Sequence, residues 1–180
     1  QFCNYHSLNN RSLFDVEPKN GYESLRDDLK VRPHSGVQVI GAIVDADTDP
    51  HERWNALRSV LLDLGYTDFP TEPSEGGTIV PGLPGLPAIG IWLMPNNRMA
   101  GMLEDFLASL IREGDVLLVR AASCVDGIPS EQRKFRDTYR SKVLIHTWLA
   151  WQEEPGTPLG LALTKHYLDA DQALARQFLE

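Results

Sequence analysis

Asp45-Ala46-Asp47-Thr48-Asp49 puts three carboxylates into a stretch of five residues. Carboxylates crowded this closely repel one another unless a cation lies between them. Hard oxygen donors of this kind suit Mg2+ or Mn2+, and Mg2+ keeps several waters and bridges to substrate phosphates. A plainer account covers part of the cluster: Asp49 can cap a helix, and Asp47 can hydrogen-bond its own loop. A second acidic pair, Glu104-Asp105, stands beside an apolar stripe of Leu103, Phe106, Leu107 and Leu110. Glu104 falls at the border of that stripe in the first helical turn, and Asp105 points away from it towards solvent. Glu104 is therefore the better additional ligand; its plainer role is a favourable charge at a helix N-terminus.

The elements around these acids set where they lie. Residues 37–44 are almost continuously apolar and β-branched, which predicts a central parallel strand covered on both faces and running straight into the acids. Asp49, Pro50 and Glu52 spell a helix start, Trp54, Leu57, Leu61 and Leu64 form its apolar stripe, and Gly65 is placed to end it. Residues 37–65 thus read as strand, acidic loop and helix. In open α/β sheets, ligands gather outside the carboxyl ends of the strands. Upstream, residues 12–17 suggest a strand, Lys19-Asn20-Gly21 a turn, 22–30 a short helix and 33–36 a break. Residues 70–87 are rich in Pro and Gly and hold no helix, with a short strand at 78–80. A loop of that length is often functional or mobile, and as often a plain surface excursion. Residues 88–94 form a second buried strand ended by Pro95-Asn96-Asn97, with a helix to follow over 101–111. The remainder reads as mostly helical, with helices over 130–152, 157–168 and 171–180. The stretch 143–151 is apolar nearly all round, so its helix is expected to be buried on several sides. His146 there reads as a core histidine.

Composition narrows the class. The chain has 180 residues with 42% apolar and 23% charged residues, ordinary values for a globular protein. Its net charge is −8 and its pI about 5.1, which argues against stand-alone, high-affinity DNA binding. A bound divalent cation would change that local balance. Arg136, Arg140 and Lys142 lie in one basic helical stretch that can neutralise a nucleic-acid backbone or simply form a solvated face, and Lys165 has the same two readings. Cys3 and Cys124 are isolated, as expected for reduced thiols in a cytoplasmic protein. No apolar run is long enough to span a membrane, and no secretory signal, Walker A loop, GxGxxG, GxSxG or zinc motif occurs.

The ordered set Asp45-Ala46-Asp47-Thr48-Asp49, then Gly90-Ile91-Trp92-Leu93-Met94-Pro95-Asn96-Asn97, then Gly101-Met102-Leu103-Glu104-Asp105-Phe106-Leu107 carries a resemblance. The first element resembles the DxD motif of the Toprim domain of topoisomerases, primases and overcoming-lysogenization-defect (OLD) nucleases. The whole set, with residues 142–156, is similar to a Toprim-like family of unknown function, DUF3226. The resemblance implies a Toprim-like (Rossmann-like) α/β fold. It also implies Mg2+- or Mn2+-dependent phosphodiester chemistry on DNA or RNA, with Asp45 and Asp47 holding metal. Asp49 would position the metal or its waters, and Glu104 would be an additional ligand. Toprim enzymes also use a Glu from their first strand, and no apolar strand ending in Glu precedes residue 12 here. The chain starts without Met and stops inside a helical pattern, so that catalytic Glu is expected either upstream or lost. Asp45-Ala46-Asp47 is also similar to the nucleophile motif of haloacid dehalogenases, which would imply a phosphohydrolase, but position 49 is Asp rather than Thr or Val.

These readings give a mainly parallel sheet flanked by helices over residues 1–98 and a helical C-terminal part over 99–180. Arg140 and Lys142 are the candidate nucleic-acid contacts. OLD-type relatives work with an ATPase, so an ATPase partner is expected. The helix around Trp148 and Trp151 is apolar enough to hide a homo-oligomer interface, and burial within the monomer is the simpler account. A rival reading is a non-catalytic Toprim-like module with a binding or regulatory role.

Overall fold

The computed structural model describes residues 14–31 and 36–179. It divides into two compact units, residues 16–103 and residues 104–179, the latter grouped with residues 14 and 15. The N-terminal unit contains α1 (Tyr22–Val31), β1 (Val39–Asp45), α2 (Pro50–Asp63), β2 (Thr78–Val80) and β3 (Ala88–Met94). The C-terminal unit contains most of α3 (Leu103–Ala108), then α4 (Val116–Asp126), α5 (Arg140–Leu149) and α6 (Ala173–Leu179). Short 3-10 turns lie at Asp137–Tyr139 and Leu159–Leu161.

The sheet of the N-terminal unit has the order β1-β3-β2. β1 and β3 run parallel with Asp45 opposite Met94, and β2 pairs antiparallel with β3. Among the described residues the sheet is mixed, and its longer pairing, β1 with β3, is the parallel one. Ile89, Ile91 and Leu93 of β3 stand opposite Ile40, Ala42 and Val44 of β1, and this face packs with Leu29, Trp54, Leu57 and Leu61 into the core. The strand expected over 37–44 begins at Val39, and it alternates instead of being buried on both faces. Val39 and Ile43 are exposed, and β1 lies at an edge of the described sheet with β3 in the central place. Apolar composition alone does not separate these two positions.

α2 starts and stops as its sequence dictates. Asp49 Oδ1 accepts the N–H groups of His51 at 2.9 Å and Glu52 at 3.0 Å, and Pro50 takes the first helical position. At the other end, Gly65 N–H reaches Leu62 O and Tyr66 N–H reaches Leu61 O, the bond pair of a Schellman end. Gly65 supplies the left-handed φ of 106° that this ending needs. Residues 78–94 form a hairpin whose turn is closed by two backbone bonds between Leu83 and Leu86. A Cβ at Gly82 would lie 2.9 Å from both Ala88 N and Leu86 O, so the crossing strands demand glycine there.

Other expectations needed correction. Residues 14–17 are irregular with Phe14 and Val16 exposed, while 12 and 13, and most of the expected break at 33–36, lie outside the described residues. The helix expected over 101–111 spans only Leu103–Ala108, and that over 130–152 only Arg140–Leu149. Residues 130–136 are mostly charged or polar and exposed, so a helix there would have no apolar face to bury. The 157–168 stretch forms turns, with His166 in the left-handed region at φ 57°. α5 buries one stripe of Ile145, Trp148 and Leu149, while His146 is exposed and not a core residue. Trp148 Nε1 donates to Asp115, whose carboxylate also caps α4 through Leu118 N–H.

Candidate functional site

Asp45 is the last residue of β1 and is exposed, and its Oδ1 accepts Leu103 N–H at 2.9 Å. Ala46 continues the ladder by donating to Met94 O. Asp47 then turns into the left-handed region at φ 55°, a conformation that Asp tolerates better than most residues. It is pinned there by a reciprocal backbone pair: its N–H donates to Gly101 O at 2.9 Å, and Gly101 N–H donates to its O at 2.7 Å. The direction of the Asp47 side chain is thus set by backbone from a second strand end. The remaining connection is also bound to backbone. Asn97 is buried, accepts Leu93 N–H at 2.8 Å and donates to Glu75 O at 3.0 Å. Asn96 Oδ1 accepts Arg98 and Met99 N–H.

Asp47 meets a partner the sequence reading did not single out. Arg53, one helical turn after the Asp49 cap, pairs through Nη2 with Asp47 Oδ2. Its guanidinium lies 4.0 Å above the centre of the Tyr22 ring, a cation–π contact that joins α2 to α1. The Arg53 side chain is 18% exposed. Arg53 Nε and the Tyr22 hydroxyl are buried without a hydrogen-bond partner among the described residues. Burial pushes the Tyr22 hydroxyl above its usual pKa against the opposing pull of Arg53 and Arg26, so it is a protonated donor at neutral pH. These residues line a cleft of about 510 Å³ between α1 and α2, shared with Asp47, Asp49, Arg26 and Lys30.

The structure therefore brings Asp45, Asp47 and Asp49 to one strand end and gives each a distinct partner: a backbone N–H, a guanidinium and a helix N-terminus. Among the described residues, no group of three or more His, Cys, Asp or Glu is gathered to hold a metal ion. Glu104 belongs to the C-terminal unit, is buried, and pairs with Lys142 at 3.1 Å. Asp105, expected on a solvated face, is half-buried and accepts Ser141 Oγ. Arg140 forms a bidentate pair with Asp126 at 2.7 and 2.6 Å. That hydrogen bonding lowers the Asp126 pKa and raises that of Arg140. Arg136 bonds the Tyr139 hydroxyl, and Lys165 pairs with Glu154. The basic stretch is thus largely engaged within its own unit.

One family, described as protein of unknown function (DUF3226), matches residues 1–180. The chain belongs to the DUF3226 family. Comparison with curated proteins and with solved structures found no match. For this DUF3226 chain, Arg53 and Asn97 are the site-shaping residues that sequence reading missed. The signal for Arg53 was its spacing, six residues after Asp47 and four after the cap at Asp49. No helix among the described residues is long and apolar enough to cross a membrane.

Proposed function

We propose that this chain carries out Toprim-type, divalent-cation-dependent phosphodiester chemistry on nucleic acid, alongside an ATPase partner. Asp45 and Asp47 hold Mg2+ or Mn2+, and Asp49 acts through the helix start that it caps. The observation that carries the reading is the placement of Asp45 and Asp47 at the carboxyl end of the parallel pair β1 and β3, with Asp47 fixed by its backbone pair with Gly101. Hard carboxylate oxygens fit Mg2+, which usually takes one or two carboxylates and keeps its waters, so a gathered set of three is not required. When bound, the cation supplies positive charge to the phosphate oxygens. The chain's own part is to fix the two carboxylates and to present a cleft beside Asp47.

The non-catalytic reading draws its support from a different observation: Asp45, Asp47 and Asp49 already make protein contacts. Incubating the chain with single-stranded and duplex DNA and RNA in Mg2+ or Mn2+ separates the two. The enzyme reading expects metal-dependent strand cleavage that Asp45→Ala and Asp47→Ala each reduce by about 100-fold or more. Metal binding without cleavage of any of these substrates, with or without added ATPase, would favour the regulatory module.

A further inference from the structure

Two donors lie orphaned beside the acidic loop. Arg53 Nε and the Tyr22 hydroxyl are both buried without a partner among the described residues, and a buried donor left unsatisfied is destabilising. They sit against one another, the guanidinium over the ring, in the wall of the cleft between α1 and α2. The Tyr22 hydroxyl stays protonated at neutral pH, so both groups call for an acceptor. A planar guanidinium released from its carboxylate is the side chain best shaped for phosphate oxygens. The cleft is not a simple anion site, however. Five of its lining side chains are carboxylates, and three, Arg26, Lys30 and Arg53, are cations. A bare phosphate would enter a net negative surround, and Arg53 is held by Asp47.

We propose that Arg53 and Tyr22 form a phosphate subsite that is released when a divalent cation takes Asp47, so that the cleft binds a cation-carrying phosphate group in preference to either ion alone. The inference rests on the metal reading of Asp45 and Asp47 and names the side chains that meet the phosphate. With the cation on Asp47, the guanidinium loses its carboxylate and turns towards the cleft. Its Nε and the Tyr22 hydroxyl then gain the acceptors they lack. Linkage makes the effect reciprocal: phosphate must strengthen cation binding by the same factor as the cation strengthens phosphate binding.

The test measures Mg2+ affinity by calorimetry and inorganic phosphate affinity by phosphorus NMR, at zero and saturating Mg2+, on the whole chain. In the unaltered protein, saturating Mg2+ is expected to tighten phosphate binding by about tenfold or more. Arg53→Ala should bind Mg2+ alone several-fold more tightly and lose the phosphate enhancement. Arg53→Lys keeps the charge and the pairing with Asp47. It should hold Mg2+ affinity within about twofold while weakening phosphate about fivefold, which separates the effect from a folding defect. Tyr22→Phe should weaken phosphate and leave Mg2+ unchanged. Phosphate affinity that ignores Mg2+, or that is unchanged in Arg53→Ala and Tyr22→Phe, overturns the subsite while leaving the metal reading intact. Absence of Mg2+ binding in both the unaltered chain and Arg53→Ala overturns the metal reading, and the subsite with it.

Discussion

The strand-end loops at 45–49 and 94–101 and the basic stretch at 133–142 are both short and polar, yet they are built on opposite plans. In the loops, most polar side chains bond to backbone, although Asp47 pairs with Arg53 and Arg98 with Glu75. Asp45 takes Leu103 N–H, Asp49 takes the start of α2, Asn96 takes two N–H groups, and Asn97 spans Leu93 and Glu75. In the basic stretch, the contacts are mainly side chain to side chain: Arg133 with Asp137, Arg140 with Asp126, and Lys142 with Glu104. A backbone partner cannot move away, so the loop side chains are fixed in position. An exposed ion pair holds two long side chains loosely and contributes little. Fixed carboxylates are what a cation site needs, which is why the loops rather than the basic stretch are the better place to look for chemistry.

Replacing Asn97 breaks the comparison most sharply if it is right. Asn97→Ala leaves Leu93 N–H and Glu75 O without their partner and puts Ala at φ 63°, and should cost about 3 kcal/mol in urea unfolding. Gly82→Ala follows at about 2 kcal/mol, because its Cβ meets backbone atoms from the facing strand at 2.9 Å. Asp49→Ala should cost about 1 kcal/mol through loss of the cap, and Asp49→Asn much less. A neutral Asn97→Ala would mean that the loops are no more fixed than the surface pairs.

The smallest effect belongs to the basic stretch. Arg140→Ala should lower the thermal midpoint only slightly at neutral pH. Its signature is in the pH dependence. Arg140 depresses the folded pKa of Asp126, so the pair's contribution is present above the unfolded carboxylate value of about 3.9 and is lost as pH falls through the lower folded value. The melting curves of variant and unaltered chain should therefore converge in acid. Curves that stay parallel to the most acidic pH would show that Arg140 acts through packing instead.

Local signals carried much of the fold. Asp49, Pro50 and Gly65 each did in α2 what their chemistry required, and the 88–94 strand appeared within its expected bounds. What failed were properties set by distant partners. The edge position of β1 depends on β3, about 50 residues later, and the short span of α5 depends on where apolar surface is available. The site shows the same division. The acids at 45, 47 and 49 were legible from their spacing. Arg53 was hidden because its role needs Tyr22, which comes from another helix, and Asn97 because it bonds to Glu75, 22 residues away.

The central claim is that Asp45 and Asp47 hold a divalent cation at the end of β1. Calorimetric titration of Mn2+ into the unaltered chain and into Asp45→Ala/Asp47→Ala tests it directly, with Arg140→Ala/Lys142→Ala as the control from the basic stretch. The account predicts saturable binding that falls by about 100-fold, close to 3 kcal/mol, in the acid-loop variant and is unchanged in the control. Equal binding in the unaltered chain and the acid-loop variant, or no binding in both the unaltered chain and Arg53→Ala, would contradict it.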